Sequence, residues 1–370
     1  IDVIGFRNLS QVSLETDANI NCFYGMNGSG KTSLLESLFF LSRVRSFRTN
    51  KRKKVIQANT ASLVVRAQFE QEKQHTLAVE LTNKGDSRLK LDGEELNRLS
   101  EGTAMFPVQL ITPESFEVFF SSPKSRRSFI DFGLFHVEQS YQKTWSEYQK
   151  QLKQVNALLR SSNANQRELE FWYRGLIDSA KIVDEKRSRF VSGLLEKELE
   201  RLVESMPSTD TVELLKSVKV SYKQRPVLQS RDSLGNDVPD ISGQIEKDCR
   251  YKQVGFGPSK SDLLFYIDGD DVSATLSRGQ SKMLYYMLEV AIVSIIKQQS
   301  EKNILLLIDD LPSEVDEFTR VTMLRLLLQS KAQIFVTGIE NKIATEFRKF
   351  TDSVNVFHVE HGTIKPEIME

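Results

Sequence analysis

Residues 25–32 read Gly25-Met26-Asn27-Gly28-Ser29-Gly30-Lys31-Thr32, and the reading of this octet decides the fold. It fits the spacing G-x-x-x-x-G-K-[ST]. In such a loop the glycines let backbone N–H groups wrap a chain of phosphates, the lysine neutralises the β and γ oxygens, and the hydroxyl ligates Mg2+. The motif requires a strand before it and a helix after it. Both signals are present: "NINCFYG" reads as a strand ending near Tyr24, and "KTSLLESLFFLSRV" has helical spacing from Lys31 onward. A plain glycine turn would need neither neighbour.

Outward from the octet, "IDVIGFRNLSQVSLE" reads as strand, and "ASLVVRAQFEQ", "HTLAVELTN" and "SRLKLDGEEL" read as an antiparallel meander with turns near Asn83 and at Asp92-Gly93. From about Val137 to Met206 the sequence turns long, charged and helical. Tyr141, Trp145, Tyr148, Leu152, Val155 and Leu159 recur at three- and four-residue steps. After a break in "SSNANQ" (161–166), Leu169, Trp172, Leu176, Ala180, Val183, Phe190, Leu194 and Leu202 continue the pattern. Two such helices back to back predict an antiparallel arm, with Gly175 and Gly193 as candidate kinks. "SVKVSYKQR" is strand-like, and 229–243 reads as irregular. Then "DLLFYIDG", "NILLLIDD" and "AQIFVTG" read as strands and "SKMLYYMLEVAIVSIIKQQ" and "EFTRVTMLRLLLQ" as helices. The α/β pattern is therefore expected to be split, with 1–108 and 244–370 as its halves and 109–243 as a helical insertion.

Composition sets limits on function. With 39% hydrophobic and 27% charged residues over 370 positions, the chain reads as an ordinary globular protein of two or three domains. A formal net charge of zero provides no global field toward DNA or an acidic membrane, so any nucleic-acid contact must use local patches. Cys22 and Cys249 lack Cys-x-x-Cys or His-rich surroundings and read as reduced thiols. The apolar run "MLYYMLEVAIVSII" is too short to span a bilayer and carries Glu289, so it reads as a buried helix. The first residues are strand-like, with no signal-peptide pattern.

Two further stretches carry chemistry. Residues 304–310, "ILLLIDD", form an apolar strand ending in two carboxylates: Asp309 is expected in the Mg2+ shell and Asp310 as the group that polarises an attacking water, with Ser313, Glu314, Val315 and Asp316 just beyond. Residues 275–280, "TLSRGQ", open the long apolar helix. Free N–H groups and the positive end of the helix dipole converge there, which equips it to hold a second anion, although a well-capped helix start would look the same.

Taken together, "GMNGSGKTS", "TLSRGQSK" and "LLLIDDLPSEVD" resemble the ABC-type ATPase heads of the SMC class. With "GFRNLSQ", "LSRVRSFRT", "YQKQLKQVNALLR" and above all residues 109–141, "QLITPESFEVFFSSPKSRRSFIDFGLFHVEQSY", the chain is similar to the bacterial RecF family along nearly its whole length. That resemblance implies an ABC-type P-loop ATPase head with a β-rich lobe and an inserted helical arm. It also implies ATP and Mg2+ as cofactors. Ser277, Arg278, Gly279, Gln280 and Asp316 would meet the nucleotide of a second copy in trans, so that ATP joins two heads and hydrolysis releases them. Arg7 and Asn8 would contact base or phosphate, and a Q-loop equivalent would fall within 109–114. The implied partners are gapped or double-stranded DNA, RecR and RecO, with RecA loaded in consequence, in the cytoplasm and away from membranes.

Transporter-type ABC subunits carry Glu after the Asp that corresponds to Asp309 and His beyond the next strand, where this chain has Asp310 and Thr337. That departure, with residues 109–141, argues against a transporter subunit; a non-hydrolysing ATP-switched scaffold is the other rival. The RecF pattern Gly-Pro-His-Arg-Asp-Asp appears here as Gly257-Pro258-Ser259-Lys260-Ser261-Asp262, without the His.

For DNA, residues 43–54 place Arg43, Arg45, Arg48, Lys51, Arg52, Lys53 and Lys54 together without one acid, the electrostatic footprint of a phosphate backbone. Lys124, Arg126 and Arg127 form a smaller patch, for which a phosphate contact and a structural arginine are equal alternatives. No recognition-helix motif accompanies them, so binding should be backbone-directed and sequence-independent.

Overall fold

The apolar runs around the octet form one sheet. Its strands lie in the order Thr363–Pro366, Val354–Glu360, Ile20–Tyr24, Gln333–Gly338, Leu305–Ile308 and Val108–Ile111. All neighbours are parallel except the first pair. Leu305–Ile308 is buried at every position, as a central parallel strand covered on both faces must be. A second, fully antiparallel sheet runs Leu9–Ser13, Asp2–Phe6, Ser62–Glu70, Gln74–Thr82, Ser87–Leu91, Glu94–Glu95.

The helix Lys31–Arg43 follows the octet and is buried on all sides: residues 33–42 have no exposed member. Its core cluster explains why. Leu34, Leu35, Leu38 and Phe40 pack with Val3, Phe6, Leu63 and Val65 of the antiparallel sheet and with Phe23, Leu307 and Phe335 of the parallel one. A helix held between two sheets has no solvent face and need not be amphipathic. Each such Leu or Phe contributes about 1.5–3 kcal/mol of burial.

The computed structural model describes residues 1–161, 165–232, 236–311 and 316–367. The chain divides into two compact units: Ile1–Phe116 with Arg278–Glu370, which holds both sheets above, and Glu117–Ser277. This corrects the expected boundaries, which put 244–277 in the ATPase half. The strand Asp262–Ile267 is present, but it pairs antiparallel with Lys219–Lys223 in a small three-stranded sheet of the second unit. An alternating pattern marks a strand; it does not say which sheet takes it.

Within the second unit the antiparallel arm is formed by Tyr141–Arg160 and Gln166–Phe190. Tyr141, Tyr148, Val155, Leu169, Tyr173, Leu176 and Val183 are buried, whereas Trp145 is exposed. Of the expected break, 162–164 lies outside the described residues; Asn165 accepts from Arg167 N at 2.9 Å and so caps the second helix. At Gly193 the helix passes through a single π turn, Val191–Leu195, while Gly175 sits in uninterrupted helix. Residues expected to be irregular at 229–243 contain a hairpin of Gln229–Arg231 with Asp237–Pro239, followed by the helix Ile241–Tyr251. The opening strand is a hairpin as well, turning at Arg7, whose φ is 54°.

Candidate nucleotide-binding site

The octet connects Ile20–Tyr24 to Lys31–Arg43 with a shape that depends on glycine. Gly25 has φ 153°, and a Cβ there would lie 2.2 Å from Val359 O. Gly25 N donates to Gly338 O at 3.3 Å and Ser29 O accepts from Gly362 N at 2.7 Å, so the loop is anchored to the neighbouring strands' ends. Lys31 Nζ donates to Gly25 O at 2.6 Å and to Met26 O at 3.0 Å. Burial lowers the Lys31 ammonium below its ordinary pKa, and Asp310 and Asp309 oppose the shift.

The loop's polar groups fit a phosphate chain. Ser29 Oγ is buried and has no hydrogen-bond partner among the described residues. Lys31 is held by carbonyls of its own loop, and the first turn of the helix it opens presents N–H groups with no intrahelical acceptor.

Thr32 Oγ1 donates to Asp309 Oδ1 at 3.0 Å, bringing together residues 277 positions apart. Asp309 follows the strand Leu305–Ile308, and its N–H donates to Ile111 O at 2.8 Å. Burial pushes its carboxyl up. The hydroxyls of Thr337 and Thr32 pull it back, Asp310 adds to the rise, and Arg48 lowers it. A hydroxyl and a raised carboxyl at this distance suit a divalent cation completed by water and phosphate, and a bound cation would return Asp309 to its ionised form. No cluster of three or more His, Cys, Asp or Glu suited to a metal occurs among the described residues, and Mg2+ bound through phosphates needs none.

Asp310 sits in the left-handed region at φ 60°, and its N–H donates to Thr337 Oγ1 at 2.8 Å. The same hydroxyl donates to Asp309 Oδ1 at 2.9 Å. Thr337, which stands where transporter subunits carry His, therefore fixes both acids. Its side-chain role was not legible in the sequence, because it depends on the parallel pairing of Ile308 with Val336.

Arg7 and Asn8 are committed to the scaffold. Asn8 Nδ2 donates to Ser29 O at 3.2 Å and Gly28 O at 3.4 Å, and its Oδ1 accepts from Ser33 Oγ at 2.8 Å, so Asn8 is a strut under the loop. Arg7 is paired with the fully buried Glu36 on the helix after the octet and also donates to Lys54 O at 3.0 Å.

The signature residues 277–280, from the stretch "TLSRGQ", lie at the start of Arg278–Ser300. Ser277 and Arg278 are exposed, Gly279 and Gln280 half-buried, and a Cβ at Gly279 would meet nothing within 4 Å. Residues 312–315, including Ser313, Glu314 and Val315, lie outside the described residues. Asp316 caps the helix Glu317–Gln329, accepting from Thr319 N at 2.9 Å and Thr319 Oγ1 at 2.6 Å, bonds that hold its carboxyl below the usual range.

The basic segment is divided. Lys51, Arg52, Lys53 and Lys54 are exposed on and beside a 3-10 turn, Arg52–Val55, and Arg45 is exposed too. Arg48 is exposed but lies 3.5 Å from Glu36. Arg43 departs from the expectation of a DNA contact: its guanidinium donates to Val108 O at 3.0 Å and lies over the Phe39 ring, and burial lowers it to about 10. It is the last residue of a helix buried on all sides, so its direction is set by packing. In the smaller patch, Arg126 is buried in a two-armed pair with Asp262 and Arg127 donates to Ser261 O. Of the three, only Lys124 is exposed. The segment 257–262 is a structural knot: Pro258 O accepts from Arg187 at 2.7 Å, Ser259 N donates to the Tyr148 hydroxyl at 3.0 Å, and Ser261 Oγ donates to Asp184 at 3.1 Å.

The chain matches the RecF/RecN/SMC N terminal domain over residues 1–365. The protein belongs to this family. The DNA replication and repair protein RecF of Shewanella loihica is 38% identical over 365 residues, 98% of each chain. That of Pseudoalteromonas translucida is 34% identical over 365 residues, 97% of this chain and 96% of its own. These matches place the chain in the RecF branch. Among solved structures, a recombination mediator RecF–ATP complex of the RecFOR pathway superposes with a TM-score of 0.78 at 22% identity, covering 99% of this chain and 98% of that one. The Smc head of Pyrococcus furiosus gives 0.54 at 14%, covering 100% and 95%. These likenesses carry the fold: an α/β ABC-type head with a β-rich lobe. No helix among the described residues is long and apolar enough to cross a membrane.

Proposed function

We propose that the protein is an ATP-dependent, DNA-binding ATPase of recombinational repair and replication. The observation that carries this reading is the meeting of Thr32, Asp309 and Thr337 beside a loop whose Ser29 Oγ has no partner among the described residues and whose Lys31 ammonium is held by carbonyls of the loop itself. In this reading Gly25, Met26, Asn27, Gly28, Ser29, Gly30, Lys31 and Thr32 hold ATP, and Thr32 and Asp309 hold Mg2+. Asp310 accepts the proton of the attacking water. Mg2+ supplies charge neutralisation between the phosphates; Lys31 and the loop N–H groups position them.

The exposure of Ser277 and Arg278 favours a composite site. Ser277, Arg278, Gly279 and Gln280, with Asp316, meet the nucleotide of a second copy, so that ATP drives dimerisation. DNA binds through its backbone to Arg45, Arg48 and 51–54. The relatives' role as a recombination mediator in the RecFOR pathway extends the proposal to RecR and RecO as partners, RecA loading on gapped DNA and a cytoplasmic setting. Light scattering with ATP, a slowly hydrolysed analogue and no nucleotide, with and without gapped duplex DNA, tests it. ATP-dependent doubling of mass is expected, with release on hydrolysis. A chain that binds ATP and stays monomeric at every concentration sinks the composite site.

A further inference from the structure

The apolar run of Arg278–Ser300 contains one acid, Glu289, and its side chain is buried. Gln109 Nε2, on the edge strand Val108–Ile111, donates to its Oε2 at 2.5 Å. Tyr285, one turn earlier on the same helix, hydrogen-bonds it as well, and the same phenol reaches Ser115. Ser115 Oγ accepts from Thr112 N at 3.0 Å and lies 3.0 Å from Thr112 Oγ1. Glu289 and Tyr285 thus grip residues 109–115 at both ends. Between those ends Ile111 O accepts the N–H of Asp309. A third element closes the cluster: Arg43, which donates to Val108 O, stands in the field of Glu289.

We propose that Glu289 is a positioning residue: through Gln109 and Tyr285 it locks residues 109–115, and with them Asp309, in register with the helix that starts at the signature. Its consequence for turnover rests on the ATPase reading above; the clasp itself does not. This commits the Gln109 amide to Glu289 and leaves the residues after Ile111 as the segment whose position is controlled.

The clasp is sensitive to protonation. Burial pushes the Glu289 carboxyl up to about 7, while Gln109, Tyr285 and Arg43 pull it down. The groups facing it are Gln109 from the edge strand, Arg43 from the helix after the octet, and Tyr285 and Tyr286 from its own helix; burial and the fields of Asp310 and Glu289 raise Tyr286. An ionised carboxylate accepts from Gln109 and Tyr285 at full strength and faces a cation. The acid form keeps one good acceptor. Local opening of 109–115 breaks these hydrogen bonds but leaves the carboxyl buried in its helix, so the grip is tighter above neutral pH than below it, whereas global unfolding, which returns the carboxyl to water, is favoured as pH rises.

Amide hydrogen exchange of residues 109–115 in the full chain without nucleotide, corrected for intrinsic exchange, tests this at about pH 6 and about pH 8. Wild-type protection should be several-fold greater at the higher pH. Glu289→Gln should show the same protection at both, and Glu289→Leu should lose it while the parallel sheet stays protected. Should Glu289→Leu fail to fold, the Glu289→Gln comparison alone decides. Wild-type protection without pH dependence, or pH dependence retained in Glu289→Gln, overturns the proposal. ATP turnover measured in parallel should rise several-fold over the same interval in wild type and stay flat in Glu289→Gln. If the exchange pattern holds but no wild-type turnover is found, the ATPase reading fails and the clasp stands; normal turnover without the pattern fails the clasp alone.

Discussion

Arg7 grips Glu36 with two parallel hydrogen bonds, Nε to Oε2 at 3.0 Å and Nη2 to Oε1 at 2.7 Å. The arginine sits at the turn of the first hairpin, and the glutamate is fully buried on the helix that follows the phosphate loop. Since Arg7 also holds Lys54 O, this pair joins that helix to the exposed lysines. Glu36→Ala leaves a half-buried guanidinium without its partner and should destabilise the chain by about 3 kcal/mol. A lowered urea midpoint with unchanged slope is expected; an unchanged midpoint would show that water solvates the Arg7 guanidinium without cost.

The nucleotide reading separates three variants. Lys31→Met should lose ATP binding and, with it, dimerisation. Ser277→Arg should keep ATP binding, because the phosphate loop is untouched, yet block ATP-driven dimers. Asp310→Asn should accumulate ATP-bound dimer by removing the carboxylate that polarises water. Nucleotide titration with light scattering distinguishes them, and Ser277→Arg dimerising as wild type would reduce the signature to a helix start.

Thr337 offers a sharper probe of the metal side. Thr337→Val keeps the shape of the side chain but removes the hydroxyl that donates to Asp309 and accepts from Asp310 N. Supporting partners of this kind are typically worth roughly 10-fold or more in metal affinity or activity. Turnover at limiting Mg2+ should fall by about that factor with nucleotide affinity little changed. Identical Mg2+ titration curves for variant and wild type would remove Thr337 from the site.

For DNA, neutralising Lys51, Arg52, Lys53 and Lys54 should weaken binding to all sequences alike. The log–log salt slope should flatten by about 0.9 for each DNA phosphate that the variant no longer neutralises. Arg43→Gln should behave differently: its guanidinium is engaged by Val108 O and Phe39, so the substitution should lower stability and leave the slope as in wild type. A slope altered only by Arg43→Gln would reverse this division of the basic segment.

Glu289 also writes a pH dependence into stability. Its folded pKa, about 7, stands above the ordinary 4.5, so the folded state binds more protons between these values, and stability is lost as pH rises through that window. Glu289→Gln removes the loss. Its stability relative to wild type should increase by on the order of 2 kcal/mol from about pH 5 to about pH 8. Thermal melts of both proteins across that range check the sign; parallel curves would mean the carboxyl titrates normally.

The elements legible in the sequence are those whose signal is local. The octet, the apolar strand ending at Asp309-Asp310 and the helix opening at the signature each carry their pattern within a dozen residues, and the structure shows strand, loop and helix where that pattern puts them. What could not be read depends on distant pairing. The pattern of 262–267 is the same in either sheet, and only its pairing with Lys219–Lys223 assigns it. Arg43 and Arg45 look alike in a basic run, yet a helix end packed between sheets turns one inward and leaves the other in water. Glu289 read as a lone polar residue in a buried helix, because its partner Gln109 lies 180 positions away.

The strand that leads into the phosphate loop, Ile20–Tyr24, takes both of its sheet neighbours from Gln333–Gly338 and Val354–Glu360. During synthesis at about 5–20 residues per second, it therefore waits on the order of half a minute for the chain that will cover its edges. The antiparallel lobe can close first, since its strands all lie within residues 2–95. The nucleotide site is consequently among the last features a ribosome-bound chain can complete, and a nascent chain released before Gln333–Gly338 is made carries the whole phosphate-binding octet but neither strand that flanks the one leading into it.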